Sequence, residues 1–177
     1  MILGVSGTNS SGKDTVAKYI EEKGFFHISL SDILRREMEK QNIEINRDNM
    51  IIFSNKFGLK HGAEILAKMA LEQYQDKNKL VISSIRKSAE VDFLHSRPDF
   101  KLLFVDVPVK TRYVRMQKRA REDENILSFE DFKILQEKEM NGTNSQNLSY
   151  CQDLADYQID NSGSLPDLFT KIDDILG

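Results

Sequence analysis

Short apolar segments alternate along the chain with longer segments in which apolar residues recur every three or four positions. The apolar segments suit buried strands and span residues 1–5, 25–28, 80–84, 102–107 and, more weakly, 157–159. The helical pattern covers 13–23, 32–37, 49–75, 110–121, 129–140 and 165–176, and we expect Gly58 and Gly62 to divide the third of these. Strands that alternate with helices predict a doubly wound α/β fold with a parallel sheet.

Composition narrows the class of protein. The chain has 177 residues, 40% hydrophobic and 30% charged, which is typical of one globular domain. A net charge of -3 argues against non-specific nucleic-acid binding, and no apolar run approaches the roughly 20 residues of a membrane span. The single cysteine, Cys151, cannot form an internal disulfide, and the first residues lack a signal-peptide pattern. We expect a cytoplasmic protein, a monomer or small homo-oligomer, with no nucleic-acid or membrane partner.

A glycine-rich sequence, GTNSSGK at residues 7–13, lies between the first predicted strand and the first predicted helix. This spacing and context are typical of a phosphate-binding loop, in which backbone N–H groups and the start of a helix surround an anion. The lysine supplies a positive charge for the β- and γ-phosphoryl oxygens. We therefore predict a site for ATP and Mg²⁺. The loop residues expected to bind the nucleotide are Gly7, Asn9, Ser10, Ser11, Gly12 and Lys13.

The residues after the lysine depart from the usual motif. Many such loops place a hydroxyl group directly after the lysine, where it binds Mg²⁺. Here Asp14 holds that position, and the hydroxyl follows at Thr15. Asp14 either approaches the metal, directly or through water, or stabilises the first turn of the helix as an anion. Asp14 and Thr15 are thus the candidate metal-binding residues, and both roles of Asp14 stay open.

Basic residues are concentrated on the helix predicted at 110–121. Arg112, Arg115 and Arg119 recur at three- and four-residue spacing, which places them on one stripe of the helix, and Arg121 follows. Phosphoryl transfer needs in-line positioning and positive charge around the migrating group. We predict that Arg115, Arg119 and Arg121 contact the triphosphate and the migrating phosphoryl group. The alternative is a solvated basic helix that pairs with the acidic residues 122–124.

The motif GKDT at residues 12–15 resembles the P-loop nucleoside monophosphate kinases, a group that includes adenylate-kinase-like proteins, deoxynucleoside monophosphate kinases and dephospho-coenzyme A kinases. The resemblance continues in blocks at 31–35, 47–58, 81–86, 111–123 and 155–164. It implies a P-loop NTPase three-layer sandwich with a five-stranded parallel sheet, as a single kinase domain over 1–177. It also implies a helical acceptor-binding region at about 31–76 and a lid at about 121–150.

The same resemblance implies an adenine-binding segment after the last strand. In dephospho-coenzyme A kinases the corresponding loop touches the adenine, so Asn161 and Gly163 are expected to bind ATP. The segment is also a good strand-to-helix turn, with Ser164 as the cap of the last helix. The two interpretations are compatible.

The acceptor is expected on the other side of the phosphate loop. Asp32, Arg35 and Arg86 are the implied acceptor-binding residues, because arginine forks bind a monoester phosphate bidentately. A hydroxyl acceptor benefits from a general base, whereas a phosphate acceptor is already anionic. For this reason Asp32 joins Lys13 and the arginines of the basic helix among the candidate catalytic residues.

One departure from the pattern of these kinases affects the predicted Mg²⁺ site. Ser83 stands where these kinases usually have an aspartate that holds Mg²⁺ through water, which puts Asp14, Asp32 or Asp106 forward as substitutes. The predicted reaction is Mg²⁺·ATP-dependent transfer of the γ-phosphoryl group to a small nucleotide-like acceptor, first of all a (deoxy)nucleoside monophosphate. Two alternatives stay open, namely transfer to dephospho-coenzyme A and a P-loop ATP-binding regulatory module that is not a kinase.

Overall fold

A computed structural model describes residues 1–74, 78–119, 128–142 and 146–177, with the exception of the Arg119 side chain. Its sheet has five parallel strands in the order β2–β3–β1–β4–β5. The strands are β1 (Ile2–Gly7), β2 (Phe26–Ser29), β3 (Leu80–Ile85), β4 (Phe100–Asp106) and β5 (Tyr157–Asp160). Because all of them run in the same direction, their carboxyl ends meet at one edge, with β1 at the centre.

Helices cover both faces of this sheet. Buried side chains from α2, α4, α5 and α8 form a core on one face, and those from α1 and α9 form a core on the other. The arrangement confirms the predicted three-layer α/β fold. The described helices are α1 (Lys13–Glu22), α2 (Leu30–Lys40), α3 (Arg47–His61), α4 (Ile65–Glu72), α5 (Ser88–His95), α6 (Val109–Arg119), α7 (Phe129–Asn141), α8 (Leu148–Asp153) and α9 (Leu165–Leu176).

The central strand explains why the apolar pattern is continuous rather than alternating. All six residues of β1 are buried, because helices cover both faces of the sheet at its centre. β1 pairs with β3 on one side and β4 on the other, so that Ile2 lies opposite both Leu80 and Phe100. In the described ranges, none of the helices combines the length and the apolar character needed to cross a membrane.

Three helices differ from the prediction. Helix α3 continues through Gly58, which is buried, and only Gly62, with φ 104°, ends it. A glycine inside a helix costs only about 1 kcal/mol, and buried packing outweighs that cost. Helix α5 was not predicted, since its pattern is short. Helix α8 also lies outside the predicted helical segments, and the Asn147 side chain caps it by accepting a hydrogen bond from the Tyr150 N–H.

Candidate functional site

The phosphate loop connects β1 to α1, and its shape depends on two glycines. Gly7 adopts φ 148° and Gly12 adopts φ 97°, a region that side chains disfavour. A Cβ atom at Gly7 would lie 2.2 Å from the carbonyl oxygen of Val105, and one at Gly12 would lie 2.3 Å from Nδ2 of Asn161. Larger residues are therefore excluded at both positions, and the loop packs closely against β4 and the segment after β5.

Lys13 begins α1 and lies inside the loop. Its side chain is 7% exposed, and Nζ donates a 3.2 Å hydrogen bond to the carbonyl oxygen of Thr8. Ser10 has a left-handed φ of 60°, and its hydroxyl donates to Oδ1 of Asn9 at 3.4 Å. Ser11 is fully buried. The ammonium group thus lies at the positive end of a helix, an arrangement that suits an anion.

The loop is anchored to the end of β4. The hydroxyl of Thr8 donates a 2.6 Å hydrogen bond to Oδ1 of Asp106. The same oxygen lies 3.7 Å from Nε of Arg112, which also donates to the carbonyl oxygen of Val107 at 3.0 Å. Asp106 therefore connects the phosphate loop to α6. Burial lowers the pKa of Arg112, and the charges of Asp106 and Glu139 oppose that effect.

One predicted arginine of α6 reaches the loop. Arg115 donates from NH1 to the carbonyl oxygen of Ser11 at 3.4 Å and from NH2 to that of Asn161 at 2.9 Å. The structure therefore brings Arg115, the phosphate loop and the segment after β5 together. Arg119 ends α6, but its side chain, like the whole of Arg121, lies outside the described residues.

The segment after β5 contacts the phosphate loop and also leads into the cap of α9. Nδ2 of Asn161 donates to the Ser11 carbonyl oxygen at 2.8 Å, which places this residue against the phosphate loop. Gly163 is exposed on the turn that follows. Ser164 caps α9 in a capping box with Asp167, as predicted.

The candidate metal-binding residues lie beside the loop. Asp14 and Thr15 are exposed in the first turn of α1. Ser83 is 3% exposed, and its hydroxyl lies 2.8 Å from Nε2 of His27. Within the part of the chain that the structure describes, no group of three or more His, Cys, Asp and Glu side chains could hold a metal ion.

A group of hydroxyls lies at the carboxyl ends of β2 and β3. The hydroxyl of Ser84 is 2.9 Å from that of Ser31 and 3.3 Å from that of Ser29. Ser84 has φ 65° and is the extra residue of a bulge opposite β1, which turns its side chain towards α2. Asp32 and Arg35 pair with each other nearby, with 2.6 Å between Oδ1 and NH1. Neither of these two is bonded to Arg86.

Arg86 follows β3 and is positioned through its backbone. Its N–H donates to Oε2 of Glu90 at 2.9 Å, and its carbonyl oxygen accepts from the N–H of Asn147 at 2.9 Å. Its guanidinium donates to Oε1 of Gln146 at 3.1 Å. Burial raises the pKa of Glu90, while hydrogen bonds from the N–H groups of Arg86 and Lys87 act in the opposite direction.

Sequence reasoning missed a polar cluster formed by α7. Gln136 and Glu139 are 4% and 7% exposed. Gln136 accepts a hydrogen bond from Arg112, and Glu139 accepts one from Arg47. NH1 of Arg86 lies 3.9 Å from the same Glu139 oxygen. On a predicted amphipathic helix, polar residues are normally assigned to the solvent-exposed side. The only sequence signal for this cluster was the three-residue spacing of Gln136 and Glu139, which places both on one face of the helix.

Comparison with known proteins places this site in a family. Residues 3–149 match the family model described as an AAA domain. The UPF0200 protein TK1334 of Thermococcus kodakarensis is 31% identical, with 93% of this chain and 90% of that protein covered. A UPF0200 protein of Thermococcus onnurineus is 32% identical, with 79% of each chain covered.

Solved structures with the same architecture include kinases. TT1252 from Thermus thermophilus has a TM-score of 0.67 at 21% identity, with 99% of this chain and 96% of that chain covered. The shikimate kinase of Acinetobacter baumannii, solved in complex with shikimate, has a TM-score of 0.63 at 17% identity, with 99% and 92% covered. At these identities the likeness shows the fold alone, which is a P-loop kinase-like α/β fold.

Proposed function

This chain belongs to the AAA-domain family and to the UPF0200 proteins, and on that premise we propose that it is a Mg²⁺·ATP-dependent phosphotransferase acting on a small nucleotide-like acceptor. The kinase-like fold implies binding of ATP and small-molecule nucleotide substrates. The observation that carries the proposal is the position of Lys13, which lies inside a phosphate loop at the carboxyl edge of the sheet. Ligands of open α/β sheets bind at this edge, where the strand order reverses.

The donor side of the proposed site consists of the loop, Lys13, Arg115 and Asn161. The loop N–H groups and Lys13 bind the phosphates, and Arg115 holds the loop and the adenine-side segment at a fixed distance from each other. Asp14 and Thr15 are the residues that would hold Mg²⁺, since both carry oxygen donors in the exposed first turn of α1. Held there, the ion would offset the negative charge of the triphosphate.

The acceptor side of the proposed site lies at the ends of β2 and β3. The hydroxyls of Ser31 and Ser84 lie there and Arg86 follows β3, and a combination of hydroxyls with a guanidinium group suits a sugar phosphate. The acceptor proposed first is a (deoxy)nucleoside monophosphate. Phosphoryl transfer then needs only alignment of the acceptor phosphate with the γ-phosphoryl group, because the acceptor is already anionic.

Dephospho-coenzyme A is the second candidate acceptor, because Asp32 offers a carboxylate near the hydroxyls of Ser31 and Ser84. Arg35 pairs with that carboxylate, with 2.6 Å between NH1 and Oδ1. In this case the carboxylate takes the proton of the attacking ribose hydroxyl.

A substrate panel tests the proposal. The protein is incubated with Mg²⁺·ATP and, in turn, each nucleoside monophosphate, each deoxynucleoside monophosphate and dephospho-coenzyme A, and the products are separated and identified. We expect one class of acceptor to gain a phosphate. Release of ADP at the same rate with and without every acceptor would contradict the proposal and favour an ATPase module.

A further inference from the structure

Helix α7 carries two buried polar side chains that link both sides of the proposed site. Nε2 of Gln136 donates a 3.3 Å hydrogen bond to Oε2 of Glu139. Because Gln136 accepts a hydrogen bond from Arg112 through its amide oxygen, its NH₂ group must face Glu139. The orientation of this amide is therefore fixed by its neighbours, and Glu139 is left with one oxygen directed away from α6.

That second oxygen lies between two arginines from different elements. Oε1 of Glu139 accepts a hydrogen bond from NH2 of Arg47, in the first turn of α3, and lies 3.9 Å from NH1 of Arg86, after β3. The side chain of Glu139 is 8% exposed, whereas those of Arg47 and Arg86 are 40% and 31% exposed. One nearly buried carboxylate thus meets two guanidinium groups that remain accessible from solvent.

The carboxylate of Glu139 is shared by two guanidinium groups, although the charge of the buried Glu90 also acts on Arg86. A dianion would satisfy both arginines better than one shared carboxylate does. The other described arginine near the acceptor side, Arg35, already pairs with Asp32. Arg86 directly follows β3, at the carboxyl edge of the sheet where ligands of open α/β sheets bind.

We infer that Arg47 and Arg86 form an anion-binding pair for the phosphate group of the acceptor, and that the carboxylate of Glu139 occupies this pair when no acceptor is bound. This rests on the proposed function. Glu139 and the acceptor compete for the same two guanidinium groups, so Glu139 sets the affinity for the acceptor. Arg47, at the start of the block 47–58 in the implied acceptor-binding region, thus becomes an acceptor-binding residue.

The test compares charge-removing variants with matched controls. Glu139→Gln keeps the shape of the side chain and removes its charge, and Arg47→Gln removes one cation of the pair. The controls are Glu137→Gln on the exposed side of α7 and Lys60→Gln near the exposed end of α3. Dissociation constants are measured by calorimetry without ATP, for the nucleoside and deoxynucleoside monophosphates and for inorganic phosphate.

We expect Glu139→Gln to bind the preferred monophosphate about fivefold more tightly, because the competing charge is gone, and Arg47→Gln to bind it about tenfold more weakly, because a charge-assisted hydrogen bond to the phosphate is lost. Both controls should bind as the wild type does. If Glu139→Gln does not fold, Glu139→Asp keeps the charge, shortens the reach and should tighten binding by a smaller factor. Wild-type affinity in Glu139→Gln would overturn the inference, as would a response confined to inorganic phosphate.

The outcomes separate this inference from the proposed function. Suppose that the wild type transfers phosphate to an acceptor but that replacing Glu139 does not change the affinity for that acceptor. This result would refute the anion-binding pair and leave the proposed phosphotransferase activity intact. Suppose instead that replacing Glu139 changes the affinity for a monophosphate but that the protein transfers phosphate to no acceptor. This result would refute the proposed phosphotransferase activity and retain the anion-binding pair.

Discussion

The side-chain amide of Asn161 donates a 2.8 Å hydrogen bond to the carbonyl oxygen of Ser11. The backbone of Asn161 is held as well, because its N–H donates to Asp106 and its carbonyl oxygen accepts from Arg115, both at 2.9 Å. One residue thus joins the phosphate loop to β4, β5 and α6. The proposed phosphate-binding and adenine-binding segments form a single unit around it.

Replacement of this residue should weaken nucleotide binding. In Asn161→Ala the Ser11 carbonyl oxygen keeps only the 3.4 Å contact with Arg115. We expect the free energy of unfolding to fall by about 1 kcal/mol, the net value of one hydrogen bond, and the Kd for ATP to rise about tenfold as the loop loosens. Calorimetric titration with ATP measures the change. Ser162→Ala, an exposed neighbour, is the control, and equal affinity in both variants would exclude Asn161 from the site.

Arg115 should matter more than its neighbours on α6. Arg115→Gln removes a charge that contacts both the Ser11 and the Asn161 carbonyl oxygens, and we expect at least a tenfold loss of ATP affinity. Lys118→Gln removes an equal charge from an exposed position of the same helix and should have little effect. Nucleotide titrations of both variants make the comparison. Similar losses would mean that the helix acts only through its overall charge.

The sequence predicted the fold and the place of the glycine-rich loop between β1 and α1, and the reasons are local. A continuous apolar run followed by glycine is sufficient to predict β1, and the spacing from Gly7 to Lys13 indicates the loop without reference to distant residues. Arg115 was predicted to lie at the site because it recurs with Arg112 and Arg119 at helical spacing. These features depend on neighbours in the chain, which a pattern records.

The acceptor side was less predictable because it depends on contacts between distant segments. Glu139 meets Arg47 and Arg86, which lie 92 and 53 residues away in the sequence. No periodicity links such positions. The bulge that turns Ser84 towards Ser31 depends on the register of β1 against β3, and a register is not visible in one strand alone.

The single cysteine should be unreactive in the folded protein. Cys151 is fully buried, and burial raises the pKa of its thiol from 9.0 to about 12. The thiolate is the reactive form, so alkylation at pH 8 should be far slower than in denaturant. As the pH rises, the thiol loses its proton at a lower pH in the unfolded chain than in the folded protein. The raised pKa therefore stabilises the folded state fully below about pH 9, and this stabilisation declines towards pH 12. Rapid labelling of native protein would contradict the burial.

Asp156 should make stability depend on acid pH. Burial alone would raise the pKa of this carboxyl, but hydrogen bonds from Lys101, from the Leu102 N–H and from His95 lower it below 3.8. Its stabilising effect is therefore present above pH 3.8 and is lost as the pH falls through the lowered value. Asp156→Asn should reduce the free energy of unfolding by about 1 kcal/mol at pH 7.

Urea denaturation at pH 7 and in acid measures this difference, with the exposed Asp153→Asn as the control. The gap between Asp156→Asn and the wild type should close at low pH. A gap that is constant with pH would assign the loss to packing rather than to charge.

Label transfer from γ-labelled ATP tests phosphotransfer most directly. With the acceptor identified by the substrate panel, the wild type should move the label into the acceptor, and Lys13→Ala should reduce the rate at least a hundredfold, because Lys13 is the only loop cation. Lys18→Ala, exposed on the same helix, should transfer as the wild type does. Label that appears only in inorganic phosphate, or a Lys13→Ala variant with near-normal transfer, would contradict the assignment of this loop as the centre of a phosphotransferase.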